Sequence, residues 1–319
     1  MNNVLITGGG GFIGSRLAAA LKAKHPGARI RLLDMAFPPA LGKSFECVAG
    51  DIASPAVIAP ALGNDTDTVF HLASVVSGGA EADFDLGYRV NLDGMRGLLE
   101  ACRKLPAPPK FVFASSVAAF GGELPDILDD STTPAPQTSY GTQKVIGEYL
   151  VADFTRKGMI DGRSMRLPTV VVRPGKPNLA ASSFASGIIR EPLAGVVSEC
   201  PVADSTGVWI LSPRRVVEAF IHAQELPSSA WPTTRVVNLP GITLSVREMI
   251  DAMGRVAGRD AAKRVKFVPD ARIDGIVKTW PVRFRTERAN AMGFKPDADF
   301  DSIVRDHIAT ASIPAKAGT

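Results

Sequence analysis

The sequence predicts an α/β protein: a doubly wound parallel sheet followed by a smaller C-terminal lobe. Three observations carry that expectation. Short β-branched runs alternate with helical patterns through the first half of the chain. A glycine-rich stretch joins the first strand-like run to the first helical pattern, and an acidic residue closes the second strand-like run.

The first run, Val4-Leu5-Ile6, ends in glycines and leads into a helical pattern from Phe12 to about Lys24. Ile30 to Leu33 reads as the second strand, ending at Asp34, and Cys47-Val48-Ala49 as the third, ending at Gly50-Asp51. Thr68 to Leu72 and Lys110 to Ala114 supply strands four and five. Between them, Phe84 to Lys104 places Leu86, Val90, Met95, Leu98 and Leu99 at helical spacing, so one apolar face can cover the sheet. Tyr140 to Arg156 is another helix, and Met165 to Val172 a sixth strand. After about Pro174 the alternation gives way to Pro-rich junctions. Helical patterns recur there at Ser183–Leu193, Pro213–Gln224, Val246–Val256 and Ser302–Ala311, with strand-like pieces at Val208–Leu211, Val236–Leu239 and Val265–Val268. The tail Ile313–Thr319 reads as frayed.

Composition narrows the class. With 319 residues, 45% hydrophobic and 21% charged, the chain can bury a large core, and dominant disorder is excluded. The net charge of +4, from 36 basic against 32 acidic residues, is scattered and argues against a nucleic-acid partner. Cys47, Cys102 and Cys200 are isolated and lack metal-ligand spacing, so no metal site is expected and the thiols fit a reducing compartment. Cys200, before Pro201, reads as a buried thiol rather than a pocket nucleophile. Met1 to Thr7 runs straight into a strand with no signal-peptide pattern, and no apolar stretch approaches the ~20 residues of a membrane span. A soluble cytoplasmic protein is expected.

The stretch Thr7-Gly8-Gly9-Gly10-Gly11-Phe12-Ile13-Gly14 has a strand before it and a helix after it. Glycine lets the backbone turn sharply and approach a pyrophosphate, while the helix start offers N–H groups and partial positive charge. Gly14 permits close helix–strand packing. Asp34 follows Gly14 by 20 residues at the end of strand two, where a carboxylate accepts hydrogen bonds from an adenosine ribose and repels a 2′-phosphate. Its neighbours Met35 and Ala36 offer no cation for such a phosphate, so NAD is favoured over NADP. Asp51 and the backbone of Ile52 can flank the adenine; helix capping by Asp51 is the competing reading. The fold is therefore expected to be Rossmann-type, with residues 1–174 forming an NAD-binding domain. Residues 175–319 form a substrate-binding lobe interleaved with the last strands of the sheet.

Tyr140 and Lys144 lie four residues apart on a helix and share a face, so the ammonium can sit beside the phenol and a bound ribose. A free phenol has a pKa of about 10 and is a poor base at neutral pH. A nearby cation favours phenolate. Twenty-four residues upstream of Tyr140, Ser116 closes strand five at the carboxyl edge of the sheet, where ligands of such folds bind. Its hydroxyl can hold the substrate oxygen; Ser115 competes, since strand alternation lets only one of the two face the pocket.

Together, the Gly8, Gly11, Gly14 loop, Asp34, Asp51-Ile52, His71-Leu72-Ala73-Ser74, Asn91, Ser115-Ser116 and Tyr140-Lys144 resemble the extended short-chain dehydrogenase/reductases, the NAD-dependent epimerase/dehydratase family. The resemblance implies Tyr140 as proton acceptor, Lys144 as ribose-binding lysine and Ser116 as orienting hydroxyl. It places Phe12, Ile13, Leu72, Ala73, Ser74 and Asn91 with the glycines and Asp34 around the cofactor. His71 reads as a packed strand-end residue. The long helices Phe84–Lys104 and Tyr140–Arg156 imply a homodimer by the same resemblance. Dehydratases of this family carry an acidic pair after the serine or threonine. The segment Val117-Ala118-Ala119-Phe120-Gly121 has no carboxylate, so dehydration is not expected.

Further segments resemble a narrower group within the family, the D-erythronate dehydrogenases. They are Val75 to Asp85, Thr138 to Lys144, Arg166 to Asn178, Ala180 to Phe184, Ile189 to Leu193 and Ser212-Pro213-Arg214. That likeness implies NAD-dependent oxidation at C2 of a small sugar acid to a 2-keto acid, within sugar acid catabolism. A nucleotide-sugar epimerase using the same Tyr/Lys pair is the alternative. A small polyhydroxy acid needs a carboxylate partner, for which Arg173, at the end of strand six, and Arg190 are candidate forks. Backbone N–H groups of Ser77-Gly78-Gly79 can form an anion nest, and Ser182 and Ser183 can bind hydroxyls. The competing readings stay open: structural pairing of Arg173, a simple turn at Gly78-Gly79, helix capping by Ser182. Trp209, Trp231 and Trp280 read as packing, and Arg214-Arg215 as a solvated helix start.

Overall fold

The computed structural model describes residues 1–175 and 181–311. Lys176-Pro177-Asn178, Ala180 and the Ile313–Thr319 tail, singled out above, lie outside them. In chain order the strands are β1 Asn3–Thr7, β2 Arg29–Asp34, β3 Glu46–Ala49, β4 Thr68–His71, β5 Lys110–Ser116 and β6 Asp161–Leu167. There follow β7 Thr169–Val170, β8 Ser198–Cys200, β9 Gly207–Leu211, β10 Val236–Asn238, β11 Ile242–Ser245 and β12 Val265–Phe267.

Seven strands form one sheet in the order β10-β6-β5-β4-β1-β2-β3, and every neighbouring pair is parallel. The order reverses between β1 and β4, which makes their carboxyl ends the switch point where ligands of doubly wound sheets bind. Parallel strands covered on both faces are largely apolar, and Val4, Leu5, Ile6, Leu32, Val69, Phe70, Phe111 and Val112 are all buried. One face is covered by the Gly94–Cys102 helix through Met95, Leu98, Leu99 and Cys102. Each fully buried large side chain there contributes about 1.5–3 kcal/mol of hydrophobic stabilisation.

The long helix expected over Phe84–Lys104 is resolved into three pieces: an α-turn Phe84–Gly87, a π-helical stretch Tyr88–Asp93 and the Gly94–Cys102 helix. The wider π turn shifts the register of the apolar face and turns Asn91 inward, where it is buried.

The chain divides into two compact units. The first comprises Met1–Ala119, Pro134–Leu167 and Val216–Asn238; the second takes Phe120–Thr133, Pro168–Arg215 and the chain from Leu239. A single cut at residue 174 does not separate them. Nor is Met165–Val172 one strand. β6 begins at Asp161 and stops at Leu167, because Pro168 has no N–H to continue a ladder. The next two residues, β7, pair with β9 in a different sheet. Later the chain returns, and β10 pairs with β6 through Val236–Asn238 against Ser164–Arg166.

The second unit contains a three-stranded sheet, β11-β9-β7, and a two-stranded one, β12-β8. Its core gathers Phe184, Ile188, Ile189, Ile210, Met249, Met253, Phe300 and Val304. The Val246–Ala257 helix starts at a capping box in which Ser245 and Glu248 satisfy each other's backbone donors. Trp209 stacks on Phe284 at 5.2 Å, Trp280 packs on the core and Trp231, in the first unit, is buried. Arg214 is exposed but ion-paired with Asp306 at 2.6 Å rather than simply solvated.

Candidate active site

The glycine loop follows β1. Gly8 has φ +72°, a left-handed conformation that disfavours side chains, and a Cβ there would lie 2.8 Å from Ala73 N. A Cβ on Gly14 would lie 2.1 Å from Gly8 O, so the Phe12–Lys24 helix can start against the loop only if that residue is glycine. Gly11, at the helix N-cap, brings no side-chain acceptor, and the first turn, which includes Phe12 and Ile13, holds no acid. An uncapped, uncharged helix start beside a backbone cradle fits a pyrophosphate. Asp34, ending β2, accepts hydrogen bonds from Gly10 N at 3.0 Å and Met35 N at 2.7 Å, so the carboxylate expected to take a ribose braces the loop.

Past β3, Asp51 accepts from Ala53 N at 2.9 Å and pairs with Arg89. The Arg89 guanidinium, with the Ala53 amide, holds its carboxyl below the usual range. Asp51 does not cap the next helix; Ser54 precedes Pro55–Leu62. Ile52 is buried.

At the end of β4, His71 Nδ1 and Thr7 Oγ1 share a 2.7 Å hydrogen bond, and Ala73 N donates to the same hydroxyl at 3.3 Å. The His71 ring stacks on Phe113 and is fully enclosed; burial, then the nearby Lys144 charge, push its pKa down to about 3. It is a neutral packing residue tying β4 to β1. Leu72, Ala73 and Ser74 continue the edge. Ser74 Oγ and Val75 N donate to Asn91 Oδ1 at 3.0 and 2.7 Å, while Asn91 Nδ2 donates to Val75 O at 3.0 Å and Gln143 Oε1 at 2.7 Å. An amide has capacity for two donors and two acceptors, and all four are taken. Asn91 braces the site instead of offering its amide to a cofactor. Ser77 opens a short helix, Ser77–Ala82, that includes Gly78 and Gly79, so neither the nest nor the simple turn expected there forms.

The two terminal serines of β5 differ in their surroundings. Ser115 is buried and its hydroxyl donates to Glu148 Oε1 at 2.5 Å. Ser116 is half-buried and accepts from Ala118 N at 3.1 Å, which leaves its hydroxyl proton for another partner. Tyr140 and Lys144 stand on the Ser139–Arg156 helix, capped by Thr138, which accepts from Gly141 N at 3.1 Å. A Cβ on Gly141 would lie 2.1 Å from Ala118 O, so this glycine brings the helix start against the residues that follow Ser116. Tyr140 is half-buried. Lys144 Nζ lies 5.3 Å from the Tyr140 ring centre, 4.9 Å from that of Phe113, and donates to Ala114 O at 2.8 Å. Burial pushes Lys144 down to about 7, against the opposing pull of Glu148.

In the second unit, Arg173 lies beyond β7 and not at the end of the sixth strand. Its N–H donates to Ser186 Oγ at 3.0 Å, and its carbonyl accepts from Arg190 Nη1 at 2.7 Å. Arg190 also pairs with Glu191 at 2.5 Å, so much of its expected carboxylate-binding fork is already engaged within the protein. Ser182 flanks the Ser183–Leu193 helix without a side-chain capping bond. Glu148, Arg89, Gln143 and Ser186 were not singled out in the sequence. Glu148 alone had a signal there: a carboxylate four residues after Lys144 and eight after Tyr140, on the same helical face.

No helix among the described residues is long and apolar enough to cross a membrane. Residues 4–225 match the model of the NAD dependent epimerase/dehydratase family. The chain is 51% identical to a D-erythronate dehydrogenase of Cupriavidus necator, over 98% of this chain and 99% of that protein. It is 43% identical to a D-erythronate dehydrogenase of Haemophilus influenzae, over 96% of this chain and 98% of that one. The crystal structure of a nucleoside-diphosphate-sugar epimerase from Agrobacterium tumefaciens superposes with a TM-score of 0.90 at 38% identity, covering 97% of this chain and 94% of that one. Fold and relatives define an NAD-dependent dehydrogenase working on a CH–OH group. The chain belongs to the NAD dependent epimerase/dehydratase family.

Proposed function

We propose that the enzyme oxidises the C2 hydroxyl of a small sugar acid, D-erythronate or a close relative, to the 2-keto acid. The observation that carries the chemistry is the buried Lys144 ammonium 5.3 Å from the Tyr140 ring. The substrate class is supported by near-full-length likeness to two D-erythronate dehydrogenases.

NAD, when bound, supplies the hydride acceptor. Gly8, Gly11, Phe12, Ile13 and Gly14 would cradle its pyrophosphate, Asp34 would take the adenosine ribose, Asp51 and Ile52 would flank the adenine, and Leu72, Ala73 and Ser74 would line the nicotinamide end. Lys144 would hold the second ribose, and its charge favours the Tyr140 phenolate. Tyr140 removes the hydroxyl proton as the C2 hydrogen departs as hydride, and the C–O bond becomes a carbonyl. Ser116 donates a hydrogen bond to that oxygen and keeps its proton. Arg173 is proposed as a partner for the substrate carboxylate and Ser182 as a hydroxyl contact, whereas Arg190, engaged by Glu191, and Ser77, without its nest, are weaker candidates. A cytoplasmic homodimer completes the reading.

The test is NADH formation from a panel of four- to six-carbon aldonates and uronates, with the product trapped by o-phenylenediamine, which condenses with 2-keto acids. D-erythronate should give both NADH and the trapped product. No NADH across the panel, together with tight UDP- or dTDP-sugar binding, would replace this reading with the epimerase one. The likeness to the Agrobacterium protein keeps that rival in view.

A further inference from the structure

Lys144 carries charge in a place that resists it. It is 3% exposed and packs against two aromatic rings, with Ala114 O accepting from Nζ. Desolvation disfavours an ammonium in such surroundings, and burial alone drives this one toward neutrality at physiological pH. A neutral amine would neither favour a phenolate nor hold a ribose by charge.

One helical turn further on lies Glu148, also 3% exposed. At i, i+4 it shares the face of Lys144. Its carboxylate accepts three hydrogen bonds from two residues: Arg166 Nε to Oε1 at 2.8 Å, Arg166 Nη2 to Oε2 at 2.6 Å, and Ser115 Oγ to Oε1 at 2.5 Å. Arg166 comes from β6 and Ser115 from β5, so the two strands nearest the helix fix one buried anion. A well-packed apolar pair would fill the same space without the desolvation cost of two ions. Among the described residues, the groups facing Lys144 come from three elements. On its own helix are Tyr140 and Glu148, on β4 the neutral His71, and on β5 Phe113 and the Ala114 carbonyl. From β6, Arg166 reaches Glu148. Of these, Glu148 is the one anion that opposes the effect of burial.

We propose that Glu148, clamped by Arg166 and Ser115, is the positioning residue that keeps Lys144 charged beside Tyr140. The proposal rests on the dehydrogenase reading above, and it makes Ser115 part of the machinery through Glu148 rather than through the substrate.

The test compares wild type with Glu148→Gln and with Glu148→Gln/Arg166→Met. The single variant strands a buried guanidinium and can fail to fold; the double variant removes both charges and is checked for folding by near-UV circular dichroism. The readouts are the pH profile of kcat/KM, the pH dependence of NADH affinity, and titration of the Lys144 ε-carbon in apo protein by 13C NMR, assigned with Lys144→Arg. In both variants the alkaline limb, the loss of NADH affinity and the Lys144 midpoint should all move down by about one pH unit. A folded double variant with wild-type profiles and midpoint would overturn the proposal, because it would show that Glu148 serves only to pair Arg166. In wild type the midpoint should stand at or above pH 7, and one below 6 would overturn it without any variant. Tyr140→Phe separates the two readings: if it stays active, the base assignment fails, while the apo titration still decides the role of Glu148.

Discussion

Lys144 Nζ donates a 2.8 Å hydrogen bond to the carbonyl of Ala114, two residues before Ser116. This bond ties the helix bearing Tyr140 to the strand bearing Ser116, and it does so with a buried cation whose charge the fold resists. The same contact therefore sets the geometry of the site and places a stability penalty there.

That penalty has a pH signature. Lys144 titrates near 7 in the folded apo protein, against 10.5 as a free side chain. Between those values the unfolded chain holds a proton that the folded chain lacks, so stability contributed by this group rises with pH, by up to about 1.4 kcal/mol per pH unit. Lys144→Met should flatten that rise and increase apo stability at pH 7 while abolishing turnover. Urea denaturation of both proteins at pH 7, 8.5 and 10 checks the difference.

His71 has the same sign of effect, in a lower pH window. Its folded value of about 3 lies below the ordinary 6.5, so the unfolded chain binds a proton first. The stability it contributes is intact above pH 6.5 and is lost as pH falls toward 3. His71→Gln should shrink the drop in denaturation midpoint between pH 7 and 4, measured against wild type in parallel.

Asp34 braces Gly10 and faces the expected ribose position. Asp34→Ala should raise KM for NAD at least about tenfold, the equivalent of one lost charge-assisted hydrogen bond, and raise the NADP-to-NAD ratio of kcat/KM. Initial rates with both coenzymes decide it. An unchanged ratio would remove Asp34 from cofactor selection.

Gly14→Ala puts a methyl 2.1 Å from Gly8 O, a distance no Cβ tolerates, so loop and helix must separate. Overpacking of this kind typically costs about 1–3 kcal/mol. We expect a lower denaturation midpoint together with NADH affinity reduced at least about tenfold, read by fluorescence titration. Unchanged affinity would place the pyrophosphate elsewhere.

The elements legible in the sequence share one property: their signals are local. The Phe12–Lys24 and Ser183–Leu193 helices run over the residues their periodicity marked. The glycine loop, Asp34, Ser116 and Tyr140 sit at strand ends or helix starts, where residue type and spacing follow from backbone geometry alone. The π-helical stretch Tyr88–Asp93 was hidden because a single turn is too short to leave a periodicity of its own within the longer helical pattern. β6 began earlier than expected because Asp161, Arg163 and Arg166 make Asp161–Leu167 read as polar. Buried partners elsewhere in the fold make those charges tolerable. Arg163, for instance, is fully buried, bonding Gln224 O and pairing with Asp161.

From residue types and short-range spacing came the parallel sheet, the dinucleotide loop and the Tyr140–Lys144 pair, because each depends on contacts within a turn or at the end of a strand. Tertiary structure alone decided that Ser115 gives its hydroxyl proton to Glu148 while Ser116 only accepts from Ala118 N, that Asp51 answers Arg89 across 38 residues, and that Asn91 bonds Gln143 across 52. Those choices depend on which side chains the folded chain brings within hydrogen-bond reach after burial has removed water as the competing partner, and no local pattern encodes that.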